Sequence, residues 1–563
     1  MLRDVEELDF TGLAEKVGNR LLQVQAPHQA CVDDPGSPEC AVALAASRNP
    51  YTIEANPAAF HTTGWFRVYD SCHSPWAVAA EAAADIVAAV DFAREKRIGL
   101  VIKGTGHDYL GRSSAAGSLL VWTHRMRDIT VHDTFTPVGA NRRDYDVPAI
   151  TFGAGTRWLE AYQALRPYGR YVQGGGCLSL GAAGGFTQGG GFGSFSRRYG
   201  TAAGNVLEVE VVTASGETVV ANSAKHADLF WALRGGGGGT FGVVSKMTMR
   251  TYPMPKTLVV VRGTITARSD GDFRSLLGRL VRFLPELCDD HWGETITLSM
   301  DNFVKFALMA VELTDKKAHA VWQPFVDWVE DHPEAFISDL TISTHPFALW
   351  DPQPIFLRGS HSDDGPDAPP GRFWWRGAER ELSQFLHSFQ SRWIPHRLIE
   401  DSPDELAYAL FAASRHWYLD IAVSKGLWRA APDAVARDLT TSINPAVFDA
   451  AALVLTSSSQ RYRYPGVPGH EPNRKQARAR AAQVDQAMLA IRAVTPDAGS
   501  YVNETHYFEP NWQQSFWGDN YSRLRRIKQK YDPSNVFCVH HGVGSEGSIG
   551  ATRRPGRDEL PPP

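Results

Sequence analysis

The chain has 563 residues, 57 Lys and Arg against 62 Asp and Glu for a formal charge of −5, and 43% hydrophobic and 21% charged residues. That length exceeds the roughly 250–300 residues at which one core stops growing, and the composition is that of a folded chain, not a disordered one. Near-neutrality removes the electrostatic case for nucleic acid or an anionic membrane as main partner.

Residues 1–65 read as an N-terminal arm rich in turn residues (Asp33-Asp34-Pro35-Gly36, Asn49-Pro50, Asn56-Pro57). From Ser74 the pattern alternates between helix and strand periods. It predicts a helix over Trp76–Lys96, strands over Gly99–Lys103, Leu119–Trp122 and Ala149–Phe152, and a helix over Arg157–Tyr168. Val206–Ala214 reads as a strand, Asp228–Leu233 as a short helix and Phe241–Arg250 as a strand. After Tyr252-Pro253-Met254-Pro255 the character changes. Leu258–Ala267, Thr295–Met300 and Lys305–Leu313 look like antiparallel strands. Long amphipathic helices are expected over Phe273–Leu287, Ala318–Asp331, Glu379–Trp393 and Arg474–Val494. Tyr501–Asn503 reads as a strand and Asn520–Lys530 as a basic helix. The Pro- and Arg-rich residues 548–563 read as a disordered tail.

MLRDVEELDF lacks the apolar core of a secretory signal, and no run of 18 apolar residues follows, so a soluble, cytoplasmic protein is expected unless an export signal was removed. Cys31 and Cys40 bracket a DDPGSPE turn and could form a disulfide in an oxidising compartment. No CxxC or HExxH spacing occurs, so no metal site is expected.

Glycine is the compositional deviation, with 50 residues in all and 19 of them in the 69 positions from Gly174 to Gly242, where about 5 would be usual. Glycine clusters let a backbone approach a ligand and turn N–H groups toward an anion. Gly237-x-Gly239-x-x-Gly242 matches a dinucleotide fingerprint by letter, but it follows a helix and leads into a strand, the reverse of the required order. Gly106-x4-Gly111-Arg112-Ser113 has Arg where a phosphate-binding loop needs Lys, and no helix after it. The remaining arrangement is a strand ending in Lys103-Gly104-Thr105-Gly106-His107-Asp108, followed about seventy residues later by the loops Gly174–Gly181 and Gly184–Gly193. His107 and Cys177 sit inside these loops, where a ligand and not a packed core is expected.

Four stretches carry a family resemblance: VIKGTGHDYLGRS (Val101–Ser113), GRYVQGGGCLSLGAAGGFTQGGGFGSFSRRYG (Gly169–Gly200), DLFWALRGGGGGTFGVV (Asp228–Val244) and NYSRLRRIKQKYDPSNVF (Asn520–Phe537). In order and separation they resemble flavoproteins of the vanillyl-alcohol-oxidase type, in the berberine-bridge-enzyme-like subgroup. The resemblance implies an α+β protein. A two-subdomain PCMH-type FAD-binding domain would span residues 66–256, and a substrate domain with a large antiparallel sheet and flanking helices residues 257–500. A berberine-bridge-like segment, residues 501–547, would return to the FAD domain.

It further implies FAD held bicovalently, by His107 on the 8-methyl carbon and Cys177 on ring carbon 6. Lys103, Gly104, Thr105, Gly106 and Asp108 would surround the diphosphate. Gly181, Ala182, Thr187, Gly189, Gly190 and Gly193 would line the ring and ribityl chain. Gly238, Gly239 and Val243 would lie along the adenosine half, with His541 near the flavin. The small pair Ala182-Ala183 stands where bulk blocks oxygen in such proteins, which favours an oxidase. The implied partners are a small-molecule substrate and O2, for a monomer or small homo-oligomer.

The implied reaction converts an alcohol to a carbonyl with release of H2O2. A dehydrogenase, an oxidative cyclase and a carbohydrate C1-hydroxyl oxidase are the alternatives. The base is expected in YVNETHYFEPNWQQSFWG (Tyr501–Gly518), with Glu504 leading and His506 and Tyr507 next. Strand alternation would set Glu504 and His506 on one face, Asn503 and Tyr507 on the other. Carbohydrate-oxidising relatives generally have tyrosine at the position of Glu504 and aspartate at that of His506. Of the tryptophans 350, 374, 375, 417, 512 and 517, core packing is the expected role.

Overall fold

The computed structural model describes residues 5, 8–113, 115–347, 359–363, 365 and 368–546; Trp350 and the expected tail lie outside them. Strand Gly99–Lys103 is apolar throughout its first four residues, and it pairs in parallel with Ser118–Trp122, itself parallel to Trp76–Ala79. The N-terminal strand Leu21–Gln23 closes this four-stranded sheet in antiparallel sense. Continuous apolar strands are what a parallel sheet covered on both faces demands, and helix Ala83–Lys96 supplies part of the cover.

The expected helix Trp76–Lys96 is therefore two elements. Trp76-Ala77-Val78-Ala79 is a strand, and the helix starts only at Ala83, where the Asp85 carboxylate accepts from the N–H groups of Glu81 and Ala82. An apolar tetrad beside two unpaired strand edges is worth more as a strand than as one more helical turn.

A second, antiparallel sheet runs in the order Thr218–Asn222, Val206–Val212, Val243–Pro253, Val147–Gly153, Ile129–Phe135, with Arg170–Val172 paired to the far end of Val243–Pro253. The glycine loops hang between these two sheets. A third sheet of ten strands includes Thr257–Ala267, Phe303–Val311, Gly293–Leu298, Leu419–Ala422, Ala450–Arg461 and Gln384–Pro395 as consecutive neighbours. Helices Asp270–Asp289, Pro403–Ser414 and Arg474–Val494 pack on one face of it, burying Leu276, Leu280, Leu284 and Met488 against Val261, Ile296, Phe306 and Val454.

Glu379–Trp393, expected as a helix, is a 3-10 turn Arg376–Glu381 followed by the strand Gln384–Pro395 at the heart of that sheet. Its neighbours are Ala450–Arg461 on one side and Thr62–Trp65, in parallel, on the other. Nearly every residue of this strand is buried, the polar Gln384, Ser388, Gln390 and Arg392 included, so no exposed face marks its period. Residues 1–65 are not set apart from the rest: Leu21–Gln23 joins the first sheet and Thr62–Trp65 the third. Cys31 and Cys40 form a disulfide. Among the described residues no helix is long and apolar enough to cross a membrane.

Candidate active site

A cavity of about 1310 Å³ lies between the glycine loops and the bare face of the ten-stranded sheet. Its floor is backbone: Gly104–Asp108, Gly174–Leu178, Gly184-Gly185 and Gly238-Gly239. A Cβ added at Gly176 would come no closer than 3.8 Å to any protein atom outside its chain neighbours, one at Gly184 would come no closer than 4.0 Å, and one at Gly185 would meet nothing within 4 Å. Such methyl groups would enter the cavity, so these glycines keep open a volume meant for a ligand. Gly193 is different, because its Cβ would fall 1.9 Å from the carbonyl oxygen of Gly174; it serves the packing of the loops on each other.

The roof is side chain. Strand alternation sends Ile296, Leu298, Leu419 and Ile421 into the helical layer and Thr295, Thr297, Asp420 and Ala422 into the cavity. Register aligns Lys305, Thr297, Asp420 and Leu455 in one row across four strands. Thr297 donates to the Asp420 carboxyl at 2.5 Å. Burial pushes that carboxyl above the usual range, against the hydrogen bond from Thr297 and the cations Arg380, Lys305 and Lys425.

His107 and Cys177 both line the cavity. His107 Nε2 lies 3.1 Å from Glu54 Oε1 and 3.1 Å from the Ser179 hydroxyl, which in turn lies 3.7 Å from Cys177 Sγ. Burial pushes the Cys177 thiol up to about 12, with the nearby Glu381 carboxyl adding to the effect. Glu381 stands at the end of the 3-10 turn, and burial raises its own pKa, opposed by His107. Tyr109 sits within electrostatic reach of Glu381, Glu504 and Cys177 and stacks on Phe389 at 4.8 Å.

Of the three candidate bases, Glu504 alone faces this space. It lines the cavity and forms an ion pair with Lys425, which also sits 5.7 Å from the Tyr501 ring centroid. The expected strand at Tyr501–Asn503 is instead a turn: Glu504 N donates to Tyr501 O at 2.9 Å, and a single bridge joins the two residues. Face alternation consequently does not apply, and His506 is not beside Glu504. His506 packs edge-on to Trp65 and senses Asp485 and Glu509. Tyr507 stacks on His540 at 3.6 Å, inside the cluster of Trp65, Leu110 and Leu386. His541 stacks on Trp512 at 5.1 Å, and burial together with His540 lowers its pKa strongly. None of these three is part of the cavity wall among the described residues.

The other expected positions divide. Gly104, Thr105, Gly106, Asp108, Gly181, Gly193, Gly238 and Gly239 line the cavity. Lys103 does not: its buried ammonium turns away, donating to the carbonyls of Asn56 at 2.7 Å and Ala59 at 2.5 Å. Thr187 donates to Ala182 O at 2.6 Å behind the lining, and Asn503 covers the Cα of Gly189. Gly190 packs near Ile443, and Val243 belongs to the core beneath the first sheet. Missed by sequence reasoning were Arg112, paired with Asp108 at 2.8 Å, Tyr109 of the first glycine loop, and Glu381, Asp420 and Lys425 on the roof side. Trp375 and Trp417 line the cavity, whereas Trp374 and Trp517 are core.

Two family models match: an FAD binding domain over residues 75–222, and a berberine and berberine-like segment over residues 500–544. The chain is 32% identical over 481 residues to the FAD-linked oxidoreductase ZEB1 of Gibberella zeae, covering 84% of this chain and 76% of that protein. It is 34% identical over 472 residues to the VAO-type flavoprotein oxidase VAO615 of Thermothelomyces thermophilus, covering 82% and 75%. The chain belongs to the VAO-type, berberine-like flavoproteins. As such it is an FAD-linked oxidoreductase, and the open glycine floor fits the cofactor. The solved VAO-type flavoprotein MtVAO615 from Myceliophthora thermophila C1 superposes with a TM-score of 0.79 at 26% identity, covering 95% of each chain. The glucooligosaccharide oxidase of Acremonium strictum, a 6-S-cysteinyl, 8α-N1-histidyl FAD protein, shares the fold at a TM-score of 0.63 and 19% identity, over 86% of this chain and 94% of that one.

Proposed function

We propose that this flavoprotein is an oxidase that converts a substrate CH–OH group to a carbonyl and passes the electrons to O2, releasing H2O2. When bound, FAD supplies the hydride acceptor and the site of oxygen reduction. His107 and Cys177 would hold it through two covalent bonds, and the glycine floor would take its dinucleotide length. The observation that carries the reading is the Glu504–Lys425 pair, which brings a carboxylate to the wall of the same cavity that His107 and Cys177 line.

In this reading Glu504 accepts the hydroxyl proton. Lys425 pairs with the carboxylate and holds its orientation. Asp420 orients the substrate from the roof and Tyr109 from the first glycine loop. Ala183 presents only a methyl group to the cavity, which supports access of oxygen. An alcohol substrate, and not specifically a sugar, fits the carboxylate base better, because the sugar-oxidising pattern has tyrosine at the Glu504 position.

The test is peroxide release, followed with a coupled peroxidase, across a panel of primary and secondary alcohols, phenols and oligosaccharides. Peroxide in proportion to substrate consumed supports the oxidase. Dye reduction without peroxide would replace it with a dehydrogenase. Acid-precipitated protein is expected to stay yellow, and colour lost to the supernatant would sink the covalent attachment.

A further inference from the structure

We propose that Glu54 is the positioning residue that readies His107 for attachment to the flavin, by holding the proton on Nε2 and leaving Nδ1 as the nucleophile. The inference rests on the reading above that His107 carries the cofactor. Glu54 ends the short helix Pro50–Glu54, outside both stretches matched by the family models.

Glu54 is fully buried, and each of its oxygens is engaged. Oε2 takes the Arg157 Nε at 2.5 Å, and Oε1 lies 3.1 Å from His107 Nε2. Burial works to raise the pKa of this carboxyl, but Arg157, the hydrogen bond from His107 and the nearby His61 ring hold it well below the usual carboxylate range. A carboxylate accepts and does not donate, so the proton of a neutral His107 belongs on Nε2. Nδ1 makes no hydrogen bond among the described residues, and the ring lines the cavity. His61 stacks on His107 at 3.5 Å between centroids, with planes 25° apart, and fixes the ring plane. Burial, with the nearby His107 and despite the Glu54 carboxylate 3.5 Å away, lowers the His61 pKa to about 3, so it stands as a neutral plate. The loop that carries His61 is tied by Lys103, whose ammonium holds the carbonyls of Asn56 and Ala59.

The arrangement matches the net chemistry of attachment. One bond forms, from Nδ1 to the flavin 8-methyl carbon. One methyl C–H bond and the Nε2–H bond are lost as two protons, the latter toward Glu54. The two electrons released pass through the ring to dioxygen, which leaves as H2O2. A carboxylate partner raises the basicity of an imidazole and fixes its tautomer, and losing it costs about 10- to 100-fold at metal-bound histidines and about 10⁴-fold at a catalytic one. Glu54, His61 and His107 also bring potential metal-ligand atoms within 4.8 Å of one another. The Arg157 guanidinium on Glu54 and the nearby Lys103 ammonium already supply that pocket with positive charge, which favours the tautomer role over a cation site.

The experiment compares peptide masses from purified wild type, Glu54→Gln and Glu54→Asp, taken at matched times after induction. The fraction of the His107 peptide that carries flavin is expected to fall at least about tenfold in E54Q and to recover in part in E54D. The Cys177 peptide should stay modified in all three, reporting a folded, flavin-loaded protein. Equal flavin on His107 in E54Q overturns the inference. So does joint loss at His107 and Cys177 in both variants, which would make Glu54 a support for the fold as a whole. A wild type with no flavin on His107 fails the parent reading first, and this inference with it.

Discussion

Replacing Gly176 or Gly184 with alanine separates a floor kept open for a ligand from one that is merely tightly packed. At Gly176 the nearest atom to the new methyl is Ser194 Oγ at 3.8 Å, and at Gly184 it is Gly181 O at 4.0 Å, both ordinary van der Waals distances. Neither glycine has a positive φ, so alanine adopts the same backbone and removes unfolded-state freedom, worth about 0.4–1 kcal/mol in favour of the fold. Flavin-free G176A and G184A should therefore unfold at or slightly above the wild-type urea midpoint. Their flavin content should drop sharply, because the methyl takes volume from the cavity. Gly193→Ala is the control: a Cβ at 1.9 Å from Gly174 O forces backbone to move and should cost about 3 kcal/mol or more. The readouts are flavin absorbance per protein and the urea midpoint of flavin-free protein. Full flavin content in G176A and G184A would refute the reasoning, as would destabilisation matching that of G193A.

Glu504→Gln is expected to lower kcat by about 10²–10⁴-fold with flavin content intact, while His506→Gln and Tyr507→Phe stay within a few-fold; equal losses in all three would remove Glu504 from its role. Asp438, buried and bonded by Thr201 N at 2.9 Å and Thr201 Oγ1 at 2.5 Å, has a carboxyl that burial pushes up to about 6 against those hydrogen bonds. Its folded form binds a proton before the unfolded one does, so its contribution to stability rises as pH falls through 6 and is complete near 4. The gain is about 3 kcal/mol at 1.36 kcal/mol per pH unit. The stability gap between wild type and Asp438→Asn should widen by that amount between pH 8 and pH 4, and parallel profiles would contradict it. Lys103→Met leaves the carbonyls of Asn56 and Ala59 without their donor, at about 1–3 kcal/mol for each. A lower melting temperature and faster proteolysis within residues 50–61 should follow, and an unchanged cleavage pattern would speak against the tie.

The glycine wall of the cavity was legible because its requirement is local. A backbone that must lie against a ligand needs glycine at every contact, and such runs survive in the sequence as strings. The same logic located His107 and Cys177, which are embedded in those strings. The substrate side was not legible in this way. Asp420 and Lys425 lie on one strand and the turn after it, Glu381 on a distant turn, and they come together only through a sheet whose central strand, Gln384–Pro395, is buried along nearly its whole length, polar residues included. Glu504 was found by its place in the C-terminal motif, but the alternation offered for it was mistaken. The segment turns at Tyr501–Glu504, which sends His506 toward Asp485 and away from the cavity. Glu54 left no trace at all, since one glutamate at the end of a five-residue helix has no periodicity to betray it.

That asymmetry follows from how the cavity is built. In the proposed reading its floor recognises by main chain, so most positions there are glycine and the side chains between them are few. Its roof presents alternate side chains of strands whose other faces are locked into the helical layer by Ile296, Leu298, Leu419 and Ile421. Each cavity-facing position, Lys305, Thr297, Asp420 and Leu455 among them, can change without disturbing its buried neighbours one residue away. In the proposed reading, cofactor binding and substrate choice are thus carried by different kinds of structure, backbone on one wall and side chain on the other. They meet where Glu504 reaches the cavity from the returning C-terminal segment, and its partner Lys425 follows directly on the roof strand Leu419–Ala422.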